Sequence, residues 1–329
     1  MVFFVMVKEF FDSIPEDILD RSKHLDLVIR SSLCHQAIDD VLSKTVLNGG
    51  KRLRPLLTFL TGNLFRVDLD KLTPYARASE LVHAASLSHD DVIDNATLRR
   101  GAPSINVLAS NKKAVLAGDY LLSKVIVDLC AANDLELVSR MSKVIKDLSE
   151  GEWLQLDLLT NRNYSREAIL EVAKMKTSSV MSYCTVAPAI LAAESKEVIG
   201  AASDFGVHLG IAFQLIDDTL DFSKTSDKDA LLDLENNVVN AVFYEYLESR
   251  SGLIERFKMG EDLNKLINLN EIQESVDIVV KRAHEHLEMA LNNLSIIEKS
   301  LKQKYPEKEI DEAVEYLRLI VAFLVLRKN

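Results

Sequence analysis

Asp90, Asp91 and Asp94 form a D-D-x-x-D array, and Asp217, Asp218 and Asp221 repeat it later in the chain. On a helix, residues four apart lie one above the other, roughly 6 Å apart, and the adjacent residue is rotated by about 100°. Each array therefore presents a wall of hard oxygen donors. Two such walls facing each other repel strongly unless divalent cations lie between them. Carboxylate donors that leave room for water and substrate phosphate suit Mg²⁺ better than zinc or a redox metal. The expected chemistry is Mg²⁺-assisted work on a diphosphate.

Cations at other positions extend that expectation. Gly50-Lys51-Arg52-Leu53-Arg54-Pro55 places three of them in a glycine-started turn at the start of a helix. There Lys51, Arg54 and free backbone N–H groups can meet on a phosphate; a solvated basic turn is the alternative reading. Arg99 and Arg100 follow the first aspartates closely. Ion pairing explains a cation beside an acidic cluster, but a doubled Arg in a loop suits a second diphosphate.

The elements that must hold these residues are helices. Eleven glycines and 6 prolines are few for 329 residues, and 48% of the chain is apolar. Long 3.6-residue periodicities, with no strand alternation, internal repeat or low-complexity linker, predict an all-α chain folded as one helical bundle over 1–329, residues 1–14 being a loose extension. Asn48-Gly49-Gly50 closes the helix carrying Ile38 and Val41, and Pro55 fits an early helical position. Thr73-Pro74 is expected to open the helix that ends in the first aspartates, and Arg99 to Pro103 to break it. Asn161 to Ser165 reads as a loop, and Ser249 to Asn270 as irregular.

A formal charge of −11, from 39 basic and 50 acidic residues, argues against general nucleic-acid binding. Cys34, Cys130 and Cys184 are widely spaced and form no metal-ligand pattern, so they read as reduced thiols in a cytoplasmic protein. The MVFFVMV start is too short to span a bilayer, and Met6 is a second candidate initiator. The apolar C-terminal segment is short and interrupted by Arg318, which predicts a buried terminal helix. No transmembrane segment is expected.

Six segments together resemble the trans-isoprenyl (polyprenyl) diphosphate synthase family over most of the chain. They are GKRLRP at 50–55, HDDVIDNATLRRG at 89–101, GDYL at 118–121, EGEWLQ at 150–155, Lys176-Thr177 and FQLIDDTLDF at 213–222. The resemblance implies an isoprenoid-synthase bundle with a central active-site cavity, working as a homodimer. It assigns Asp90, Asp91 and Asp94 to the first Mg²⁺ set, which grips the allylic diphosphate, and Asp217, Asp218 and Asp221 to the second. Lys51, Arg54, His83 and Arg100 resemble the pocket for isopentenyl diphosphate. Arg99, Lys176 and Gln214 resemble allylic diphosphate contacts, and Thr177 helps to shape that site. His83 owes its role to the resemblance alone, and His89 is left as structural.

The implied reaction is head-to-tail condensation: the allylic diphosphate leaves, the double bond of isopentenyl diphosphate attacks the cation-like carbon, and a proton is lost. Short-chain family members carry a bulky aromatic four or five residues before the first Asp. Here those chain-length positions are Ser86 and Ala85, both small, which predicts a product longer than fifteen carbons. The family's G-K-x-x-G-x-D that follows the second array is altered. With Lys228 as its first Lys, Asp233 is its Asp, both glycines are missing, and Val238 replaces a further Lys. That departure keeps open a diverged, non-catalytic diphosphate-binding subunit. A terpene cyclase is a third reading, although it has no need of a second diphosphate site.

Overall fold

Stretches that read as helical in sequence form helices in the computed structural model, which describes residues 11–27, 36–99, 101–220, 222, 234 and 236–326. The described residues are almost wholly α-helical and group into two compact units.

The first unit holds residues 14–145 and 183–194. It contains α1 (Glu16–Lys23), α2 (Gln36–Lys44), α3 (Leu53–Leu64), α4 (Leu69–Ile93), a hairpin of β1 (Leu98–Arg99) and β2 (Ala102–Pro103), α5 (Ile105–Leu108), α6 (Asn111–Ala131) and the start of α7 (Leu135–Asn161). α3 is a core helix, with Leu56, Leu57, Phe59, Leu60 and Leu64 all buried, and it lies against α4. α4 begins five residues before Pro74, rather than at Thr73-Pro74 as expected. Asp68 is the reason: its side chain accepts from the amides of Asp70 (2.8 Å) and Lys71 (3.3 Å), satisfying two donors that a helix start leaves open. The helix ends at Ile93, ahead of the expected break at Arg99 to Pro103, and that later segment is instead part of a short antiparallel hairpin with Leu98 opposite Pro103 and Gly101 at φ +77°. A ladder this short has no alternation to read in sequence.

The second unit holds residues 1–13, 146–182 and 195–329. It contains the rest of α7, α8 (Arg166–Ala173), a π-helical turn (Lys174–Ser178), the first residues of α9 (Ser179–Leu191), α10 (Lys196–Leu220), α11 (Ala241–Glu248), α12 (Leu253–Lys258), α13 (Leu263–Leu266), a 3₁₀ turn (Leu269–Glu271), α14 (Gln273–Leu301) and α15 (Glu307–Leu326). α10 and α14 form its central pair. α14 buries Val279, Ala283, Leu287, Ala290, Leu294, Ile297 and Leu301, a three-and-four spacing that keeps one stripe inward along the helix.

Two expectations are settled here. The region from Ser249 to Asn270 is made of short helical pieces rather than irregular chain. Arg162 organises it, donating to the carbonyls of Phe257 (3.2 Å) and Glu261 (2.7 Å). α15 is a buried terminal helix, with Val314, Leu317, Ile320 and Leu324 inside. α10 is long and apolar enough to cross a membrane by composition, but 56% of that stretch is buried in the fold, as in a core helix.

Candidate active site

Asp90, Asp91 and Asp94 end α4, and helical geometry splits them. Asp90 and Asp94 lie one turn apart on the outer face, Asp90 half-buried and accepting from Ser86 Oγ at 3.2 Å, Asp94 exposed. Asp91 is rotated inward and is 0% exposed. Arg99 donates to its Oδ1 from Nε (2.8 Å) and Nη2 (2.5 Å), and the Ile105 amide approaches Oδ2 at 3.4 Å. Asn106 Nδ2 donates to the Asp91 carbonyl at 2.9 Å. Asp91 thus ties the helix end to the hairpin and α5. Arg99, expected at the diphosphate, is anchored to this carboxylate.

Among the described residues no three His, Cys, Asp or Glu side chains gather around one metal position. The inward turn of Asp91 accounts for this in the first array. What remains is still a cation-seeking arrangement. Asp90 and Asp94 sit at the negative end of a 25-residue helix dipole, where further negative charge is disfavoured without a compensating cation. Asp217 and Asp218 stand in the same relation to α10. The donors are carboxylate oxygens, which fit a hard divalent cation.

The cationic turn divides its labour too. Gly49 (φ +67°) and Gly50 (φ +85°) lead into Arg52, itself left-handed at φ +49°. Arg52 donates to Glu80 Oε1 (2.7 Å) and to the Leu47 carbonyl (2.5 Å). Glu80 is buried on α4, three residues before His83 and on the same face. This pair pins the turn beside His83. Lys51 is exposed and Arg54 is half-buried on either side of Arg52. Sequence reasoning passed over the Arg52–Glu80 pair; a Glu in the apolar run ASELVHAA was its signal. His89 Nε2 meets the Val115 carbonyl at 3.2 Å and lies 3.5 Å from Asp119 Oδ1. A Cβ on Gly118 would fall 2.1 Å from that ring, which explains the glycine of GDYL. Ala85 is fully buried on α4, whereas the Ser86 hydroxyl faces Asp90.

In the second unit the π-turn carries Lys176 and Thr177. Such turns insert one extra residue into a helix and recur at functional sites. Glycines let its neighbours approach: a Cβ on Gly210 would fall 2.5 Å from Ser178 Cα, and one on Gly151 2.8 Å from Met175 Cβ. Lys176 Nζ donates to Glu152 and to Gln155 Oε1 (3.0 Å), both from the EGEWLQ segment. Thr177 Oγ1 donates to Gln214 Oε1 (2.8 Å), and Gln214 Nε2 donates to Asp218 Oδ1 (2.9 Å). Asp218 Oδ2 accepts from the Ala241 amide (3.1 Å). Thr177, Gln214 and Asp218 therefore form one relay, whose closing partner, Ala241, sequence reasoning missed. Arg100, Asp221 and Lys228 lie outside the described residues.

Comparison with known proteins identifies the family and the fold. The polyprenyl synthetase family model matches residues 35–275, well over half of the chain. A prenyl transferase of Synechocystis is 33% identical over 279 residues, covering 82% of this chain and 85% of that one. Solanesyl-diphosphate synthase 1 of rice is 34% identical over 272 residues, covering 75% of this chain and 63% of the relative. In fold, the chain superposes on polyprenyl synthase from Caulobacter crescentus, solved with calcium and isoprenyl diphosphate, with a TM-score of 0.77 at 24% identity and 98% coverage of both chains. Geranylgeranyl pyrophosphate synthetase from Geoglobus acetivorans gives 0.75 at 26% identity, covering 94% and 99%. The chain belongs to the polyprenyl synthetase family and is a prenyl transferase with the all-α isoprenoid-synthase fold.

Proposed function

We propose that the protein is a Mg²⁺-dependent trans-prenyltransferase that condenses isopentenyl diphosphate with an allylic prenyl diphosphate to give a product longer than fifteen carbons. The observation that carries the metal requirement is the placing of Asp90 with Asp94, and of Asp217 with Asp218, at the negative ends of long helices. These four residues are the proposed ligands. Mg²⁺, when bound, neutralises the diphosphate as it leaves.

The chain's own groups do the rest. Gln214 and the Ala241 amide orient Asp218, so that its carboxylate needs little rearrangement on loading. Lys176 on its π-turn and Arg99, fixed by Asp91, supply cations for the allylic diphosphate. Lys51 and Arg54, on either side of Arg52, and His83, one turn beyond its partner Glu80, serve isopentenyl diphosphate. Ala85, where a bulky aromatic would block a growing chain, is a small side chain on the buried face of α4.

The homodimer is supported by an apolar face on α6, where Leu116 is 62% and Val127 61% exposed beside Val115. Free thiols at Cys130 and Cys184 suit a reducing cytoplasm.

The test is to incubate purified protein with Mg²⁺, labelled isopentenyl diphosphate and a short allylic diphosphate, and to measure product length. Labelled prenyl diphosphate beyond fifteen carbons is expected. A fifteen-carbon main product refutes the length assignment, and full activity in chelator refutes the metal.

A further inference from the structure

The carboxylate of Asp218 is held on both oxygens, and one of its tethers is the first amide of α11. The position of α11 therefore governs where that carboxylate points. One turn beyond Ala241, Glu245 is 5% exposed and is gripped by two guanidinium groups. Arg166 of α8 donates from Nε to Oε1 (3.1 Å) and from Nη2 to Oε2 (3.2 Å). Arg282 of α14 donates from Nη1 to Oε1 and from Nη2 to Oε2 (3.0 Å). Arg166 also pairs with Glu248, so two arginines face two glutamates and their charges balance.

Two features mark this quartet as more than incidental. Arg166 is the first residue of α8, at the positive end of its own helix dipole, where a cation is disfavoured unless an anion faces it. The remainder of α11 is an apolar plug, with Val242, Phe243, Tyr246 and Leu247 buried. Apolar burial keeps the helix in the core but has no direction of its own. Paired guanidinium–carboxylate forks do have one, and they fix rotation and slide along the helix axis.

We infer that Glu245, held by Arg166 and Arg282, is a positioning residue that sets the cation affinity of Asp218 through the amide of Ala241. The inference rests on the reading that Asp218 holds a divalent cation.

The test measures Mn²⁺ binding from the electron paramagnetic resonance signal of free Mn²⁺, with inorganic diphosphate present and no turnover. Wild type is compared with Glu245→Gln, Arg282→Lys and Asp218→Asn. Losing an outer partner of a metal ligand weakens binding roughly 10–100-fold, and Glu245 acts one step further out, so about tenfold is expected for Glu245→Gln. Arg282→Lys keeps the charge but loses the fork, and is expected to weaken Mn²⁺ by a smaller factor with helicity retained. Should Glu245→Gln not fold, Arg282→Lys decides the matter alone. A lowered melting temperature with wild-type Mn²⁺ affinity in both folded variants makes Glu245 purely structural and overturns the inference. Unchanged binding in Asp218→Asn instead overturns the reading beneath it.

Discussion

Asp90 and Asp91 are neighbours in an acidic motif, yet replacing each with Asn should have opposite consequences. Asp91 has no exposed surface, and its Oδ1 takes both donors of Arg99 while Oδ2 faces the Ile105 amide. Asn preserves the shape, removes the charge, and turns an NH₂ group towards a donor on one side. Breaking a buried ion pair by removing one partner costs about 3–5 kcal/mol. Arg99 remains 27% exposed, so water screens part of that loss and about 2–3 kcal/mol is expected. Asp90 is only half-buried and accepts from Ser86 at 3.2 Å, and its Asn variant should lose less than about 1 kcal/mol. Urea unfolding followed by circular dichroism reads the difference. The Mg²⁺ concentration for half-maximal activity should move the other way, rising in Asp90→Asn and staying near wild type in Asp91→Asn. In Asp91→Asn the loosened Arg99 should instead raise KM for the allylic substrate. Equal Mg²⁺ shifts in the two variants, with little stability lost at Asp91, would refute the inward assignment.

Three further outcomes follow from the same geometry. Ala85→Phe should shorten the product by placing a bulky ring on the buried face of α4; unchanged chain length places the floor elsewhere. Arg52→Ala should destabilise the first unit by about 3 kcal/mol, because Glu80 is left buried and uncompensated, and should raise KM for isopentenyl diphosphate. The third concerns pH. His208 and His286 face each other with Nδ1 atoms 3.0 Å apart; burial lowers both pKa values, and at His286 the neighbouring His208 is a second lowering influence. A depressed imidazole binds fewer protons folded than unfolded. Its stabilising effect is therefore complete above the unfolded value of about 6.5 and is lost as pH falls towards the folded values. Thermal melts at pH 7.5 and 5.5 should show a larger acid loss in wild type than in His286→Phe, and equal losses would contradict this.

Residue types and periodicity made much of the fold and site legible. Both aspartate arrays, the glycine turn, the loop before Arg166 and the buried terminal helix all show in local sequence. What stayed hidden depends on which face is inside. Asp91 differs from Asp90 only by a 100° rotation, and the interior face of α4 is set by helices distant in sequence, so no local pattern marks it. The start of α4 misled for a different reason: Pro74 is the louder helix-start signal, whereas Asp68 supplies the actual cap. The tether from Ala241 to Asp218 spans 23 residues of altered family motif, out of reach of any spacing rule.

The π-turn at Lys174–Ser178 gives this site an unusual genetic vulnerability. α8, the turn and α9 run without interruption from Arg166 to Leu191, so the extra residue acts as a phase shifter between two stretches of one rod. Removing a single residue there would restore uniform winding, which is the more regular conformation for the backbone itself. It would also turn everything on one side by about 100° relative to the other and swing Thr177 away from Gln214. A one-codon deletion could thus yield a better helix and a poorer enzyme. The local irregularity is what keeps Thr177 within reach of Gln214.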